Sequence, residues 1–179
     1  MSIIQELTEK YNGKYSEEST TSFNSPAGKY SYQPKSGIIN IDGTKISINL
    51  NEVGGAMYGT EPFRITLYLD KKYGIEFNIF RKSFWSSFID FINPSRVISI
   101  PRSVRKEFSF GGNKDLIKQL VSDNVFIENI KNEHIYIATI ENPTNRIVLT
   151  PMHGIKDIAQ FEKYVTILKR VENKVKNCT

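Results

Sequence analysis

The sequence predicts an α+β fold: a mainly antiparallel sheet in two hairpin blocks, helices packed on one face, and a helix at each end of the chain. Three patterns carry this expectation. Apolar and polar residues alternate in "TKISINL", "PFRITLYLD" and "IEFNIFRK", as on strands with one face in water. A second pair of strand-like segments, "HIYIATIEN" and "RIVLTP", is joined by the turn-forming "NPTN". Both ends of the chain switch to helical spacing. Ile3, Ile4, Leu7 and Tyr11 make the first stripe, and Ile155, Ile158, Phe161, Val165, Leu168, Val171 and Val175 make the last.

Taken in order, residues 2–12 form the first helix, with Gly13 as its stop. Residues 14–27, polar and rich in Ser and Thr, read as a mobile loop. "KYSYQP" opens the strands. "GIINIDG" and "TKISINLNEV" make a hairpin, because Asp42-Gly43 supplies the positive φ angles of a tight turn. Ile46, Ile48 and Leu50 face inward there, with Lys45, Ser47 and Asn49 outward. "PFRITLYLD" turns in Phe63, Ile65, Leu67 and Leu69, and "IEFNIFRK" turns in Ile75, Phe77 and Ile79. The intervening "KKYG" suits a short hairpin connection, so an antiparallel meander is expected. "SFWSSFIDFINP" reads as an amphipathic helix over 84–92, capped by Ser83 and stopped before Pro94, and its aromatic face suits core and surface alike. "RVISIP" and "RKEFSF" are expected as short strands. Residues 113–123 are expected as a helix burying Leu116, Ile117, Leu120 and Val121, and "NVFIENIKN" as a shorter helical piece. No boundary interrupts residues 1–179, which read as one domain.

The chain has 179 residues, 39% hydrophobic and 24% charged, which suits a folded chain with a real core and not a disordered one. No apolar run approaches the roughly 18 residues of a membrane span, and "MSIIQELTEK" lacks the basic and apolar regions of a secretory signal. The sole cysteine, Cys178, cannot form an intrachain disulfide, so a reducing, cytoplasmic setting is expected. The net charge is +5. Residues 81–118 hold Arg81, Lys82, Arg96, Arg102, Arg105, Lys106, Lys114 and Lys118 against only Asp90, Glu107 and Asp115, so this segment alone supplies the excess. Such a face attracts anionic partners or simply stays solvated.

Candidate chemistry is sparse. "FSFGGNKDLIKQL" has the strand–glycine–helix outline of a phosphate loop but lacks the G-x-x-x-x-G-K-[ST] spacing. Asn113 is a good helix cap by itself, and Asp115 in the first turn already complements the dipole. Gly54, Gly55 and Gly59 imply a turned loop presenting Met57 and Tyr58. The two histidines, His134 and His153, lack a second His or Cys at metal-ligand spacing in the sequence. His153 in "TPMHG" is the candidate general base, with Glu133 or Asp157 as its carboxylate. The strand-turn-helix "FSFGGNKDLIKQLVSD" looks like a pattern in small bacterial α+β proteins, and it carries no activity and no residue roles with it.

These readings favour a non-enzymatic binding or interaction domain of bacterial type, with a protein as the first partner. Its binding candidates are Arg81, Lys82, Arg96, Arg102, Arg105, Lys106, Lys114, Lys118, Met57 and Tyr58. Anionic lipid or nucleic acid at the 81–118 segment is the alternative partner class. A small hydrolase or transferase with a pocket near His153 is the alternative activity. No cofactor and no metal site is indicated, and the pattern leaves the oligomeric state open.

Overall fold

A computed structural model describes residues 2–25, 28–50, 63–82, 100–140 and 143–178. Among them are ten strands: β1 (Lys14–Glu17), β2 (Thr21–Ser25), β3 (Gly28–Tyr32), β4 (Lys35–Ile41), β5 (Thr44–Leu50), β6 (Phe63–Tyr73), β7 (Phe77–Arg81), β8 (Phe108–Gly112), β9 (Ile135–Ile140) and β10 (Thr144–Pro151). The described helices are α1 (Ile3–Lys10), α2 (Arg102–Glu107), α3 (Lys114–Val121), α4 (Asn124–Ile130) and α5 (Ile158–Asn177). Eight strands form one antiparallel sheet in the order β1-β4-β5-β6-β10-β9-β7-β8, and β2 and β3 form a separate two-stranded sheet. The α+β architecture, the antiparallel sheet, the terminal helices and the single helical face all match the sequence-based expectation. No described helix is long and apolar enough to cross a membrane.

One face of the large sheet is apolar because each strand turns alternate residues toward it. Ile39, Ile46, Ile48, Ile65, Leu67, Ile79, Ile137, Ile147 and Leu149 lie there, all buried. The same core takes in Ile4 and Leu7 of α1, Leu116 and Leu120 of α3, Phe126 of α4, and Phe161, Leu168 and Val175 of α5. Four helices begin on a side-chain cap: Ser2 accepts from Gln5 N, Asn113 from Leu116 N, Asp123 from Phe126 N, and Asp157 from Gln160 N.

The predicted hairpin on Asp42-Gly43 is present, with φ of 49° and 76° at its two central residues. The expected meander holds through β4, β5 and β6 but does not continue into β7. β6 and β7 are not neighbours, because the β9–β10 hairpin lies between them. β6 also runs on through Lys71, Lys72 and Tyr73, so the connection is only Gly74–Glu76, not "KKYG". It crosses the turn end of the inserted hairpin, where Thr139 Oγ1 accepts from Phe77 N at 3.1 Å and Tyr73 sits opposite Thr144. The physical reason for the insertion is visible in β9 and β10. They carry apolar residues on both faces, which suits central strands.

Three further corrections concern local structure. Within the stretch read as loop, Lys14–Glu17 pairs with β4 and Thr21–Ser25 pairs with β3; β1 is largely exposed, and such a strand has the same polar composition as a loop. "RKEFSF" is not one strand. Residues up to Glu107 belong to α2, which buries Val104, and the strand begins at Phe108 and runs through both glycines. Gly13 does not end α1 by its own backbone freedom. Asn12 takes the left-handed conformation (φ 50°), and Gly13 is needed because a Cβ there would lie 2.4 Å from Ile38 O. The expected helix over 84–92, most of "RVISIP" and the Gly54–Gly59 loop lie outside the described residues.

Candidate functional site

Two places combine polar chemistry with accessibility. The first lies where β7 and β10 end and where β9 and α5 begin. Here the fold brings together Arg81, Glu133, His134, His153 and Asp157, four of which the sequence reading had singled out. The link from α4 to β9 is held from three sides. Asn132 turns with φ 64° and its N donates to Glu107 Oε2 at 3.3 Å. Arg81 Nη1 donates to Glu133 O at 3.2 Å. The Glu133 carboxylate accepts from Lys163 Nζ at 2.6 Å, from Tyr164 OH at 2.9 Å and from Gln160 Nε2 at 3.5 Å.

The electrostatics follow from these contacts. Burial works to raise the Glu133 carboxyl, but hydrogen bonds from Lys163 and Tyr164 outweigh it and hold the group below the usual carboxylate range. The Tyr164 phenol is pushed up, by burial first and then by Glu133. The His134 imidazole is held below its ordinary value by partial burial, by Arg81 and by His153, against the opposing pull of Glu133.

The predicted pairing of His153 with a carboxylate is not what the fold provides. Both oxygens of Glu133 are engaged by α5, and Asp157 Oδ1 accepts from Gln160 N at 2.8 Å as the cap of α5. His153 instead faces the other histidine, with ring centres 5.1 Å apart and planes tilted by 56°. Both rings are exposed. The hairpin sets this pair: Met152 N donates to His134 O at 2.8 Å, one step beyond the last paired residues, Pro151 and Ile135.

The second place is a notch of about 40 Å³ between α2 and α4. Val104, Phe108, Ile127 and Ile130 line its apolar part, and Glu107, Glu128 and Lys131 its rim. Arg102, Arg105 and Lys106 stand exposed on α2. Among the described residues these three make no ion pair.

The structure divides the basic segment. Arg81 lies at the first place, 3.9 Å from Glu107, and Lys82 N donates to Glu107 O. Lys114 and Lys118 are on α3, where Lys118 lines an open depression with Asp115, Lys174 and Cys178. Arg96, Met57 and Tyr58 lie outside the described residues. The two glycines of "FSFGGNKD" form no phosphate cradle. They are ladder positions of β8, paired with Asn78 and Phe77. Gly112 has φ 100°, and a Cβ there would lie 2.2 Å from Glu76 O.

One charged group escaped the sequence reading. Glu172 of α5 is 2% exposed. It accepts from Lys176 at 2.8 Å, pairs with Lys169 at 2.9 Å, and accepts from Thr44 Oγ1 at 3.2 Å. With all its partners in place, it ties α5 to the β4–β5 hairpin. No group of three or more His, Cys, Asp or Glu suited to a metal ion occurs among the described residues. No family model matches the chain, and no curated protein or solved structure shows significant similarity to it.

Proposed function

We propose that this protein is a binding module whose partner is another protein, docked at the α2–α4 notch. One observation carries the reading: an apolar notch sits beside a helix that presents Arg102, Arg105 and Lys106 without acidic partners among the described residues. A notch of about 40 Å³ has room for one small apolar side chain. Interfaces draw most of their affinity from such anchors, surrounded by a polar rim. The cations on α2 favour a partner with acidic residues flanking the anchor. Glu107, Glu128 and Lys131 give the rim mixed charge, which fits a protein surface better than the uniform charge of a nucleic acid or lipid headgroup layer. The hydrolase or transferase reading draws less support, because Glu133 and Asp157 are already engaged by α5.

A displayed library of random peptides, selected on the native chain, tests the reading. Peptides with an apolar residue flanked by Asp or Glu are expected to enrich. They should be lost on the Arg102→Glu/Arg105→Glu/Lys106→Glu variant and shift amide resonances of α2 and α4. Equal retention by the variant, or shifts confined to another surface, overturns the proposal. Salt-sensitive binding of oligonucleotides or anionic vesicles, removed by the same variant in the absence of any peptide, transfers the surface to a polyanion.

A further inference from the structure

The geometry points to a divalent transition-metal site formed by His134 and His153. An ion held about 2.1 Å from one nitrogen of each imidazole, at a near-tetrahedral angle, places the two ring centres about 5 Å apart. The observed separation is 5.1 Å. The backbone that carries His134 is held on two sides: His134 O accepts from Met152 N at the end of the hairpin, and Arg81 Nη1 holds the preceding carbonyl of Glu133. Both rings are exposed, so an ion can enter with its waters and keep them in the remaining positions.

The ligand chemistry selects the ion class. Two neutral imidazoles suit Zn²⁺, Ni²⁺ and Cu²⁺, whereas Mg²⁺ and Ca²⁺ require oxygen ligands. Glu133 itself is engaged by Lys163 and Tyr164 and supplies no third protein ligand in this arrangement. The site is therefore open, with two protein ligands and solvent.

The chain has only two histidines, which makes the test clean. ZnCl2 is titrated by calorimetry into the full chain carrying Cys178→Ser, because a thiolate competes for zinc. One ion per chain is expected. His134→Asn or His153→Asn should each weaken binding about 100-fold, since the second imidazole of a chelate acts at high effective concentration. In the native pair, both imidazole C–H resonances should move together and saturate at one equivalent. Retention of native affinity by either single variant overturns the site, as does movement of one imidazole alone. The resonance measurement uses the unsubstituted pair, so it decides the matter even where a variant folds poorly.

Discussion

Glu172→Ala offers the most direct trial of how α5 is fastened. The Glu172 side chain is 2% exposed and receives Lys169, Lys176 and the Thr44 hydroxyl. Removing one partner of a buried ion pair costs about 3–5 kcal/mol. The lower end applies here, because Lys169 and Lys176 keep 23% and 34% exposure and can turn toward water. Thr44, 7% exposed, loses the acceptor for its hydroxyl proton but still accepts from Lys169 Nζ at 2.6 Å, so it adds little to the cost. A loss of about 3 kcal/mol is expected, or a fall in Tm of about 6–12 °C for a chain of this size.

The pH dependence gives an independent check. Burial raises the Glu172 carboxyl, but Lys176 and Lys169 outweigh it, so the folded group titrates below the usual value. In the unfolded chain it returns to about 4.3. The native chain therefore holds this stabilisation in full above that value and loses it as pH falls through the lower, folded value. The difference in denaturant stability between native and Glu172→Gln should be constant near neutrality and close in acid. If Glu172→Ala unfolds within about 0.5 kcal/mol of native, the range of an ordinary surface change, the reasoning is refuted. It is refuted equally if the gap between native and Glu172→Gln stays open at low pH.

Two further substitutions separate turn chemistry from ligand chemistry in "FSFGGNKD". Gly112→Ala should cost several kcal/mol in urea unfolding, roughly 2–4, because it places a Cβ 2.2 Å from a backbone oxygen at φ 100°. A stable Gly112→Ala chain would show that β8 can shift against β7. Asn113→Ala should cost about 1 kcal/mol through loss of the cap to Leu116 N. Added phosphate should leave the difference between native and variant unchanged, and a phosphate-dependent difference would restore the anion-site reading.

What the sequence made legible was local. The Asp42-Gly43 turn, the alternating strands, the Asn113 cap and the stripe of α5 follow from interactions within a few residues, and all are present. Strand order is not local. The short link after β6 suggested a hairpin, yet the two-sided apolar character of "HIYIATIEN" already suited a strand buried in the middle of the sheet, where β9 lies. The His pair was legible by the same means. Counting eight residues back from Asn142 and eight on from Asn145 sets His134 against His153. The observed register differs from that count by one, and the rings still meet. Glu172 was legible too, four residues after Leu168 and three before Val175, an acid inside an apolar stripe.

Glu133 shows why a residue chosen as a catalytic candidate is better understood as a positioning one. The link Lys131–His134 joins the helix that lines the notch to the strand that carries the His pair. Its bends are held from outside, by Glu107 on Asn132 N, by Arg81 on Glu133 O, and by Lys163 and Tyr164 on the Glu133 carboxylate. Each contact removes freedom from a segment that has only a turn's worth of hydrogen bonds of its own, such as Glu133 N to Ile130 O at 3.0 Å. An engaged carboxylate is a poor base, since its lone pairs already accept and its charge is already neutralised by Lys163. The same engagement makes it a good anchor, because one side chain of the link reaches Gln160, Lys163 and Tyr164 of α5, the first a turn away from the other two. The contacts that occupy the Glu133 carboxylate therefore also hold the link between the α2–α4 notch and the His pair.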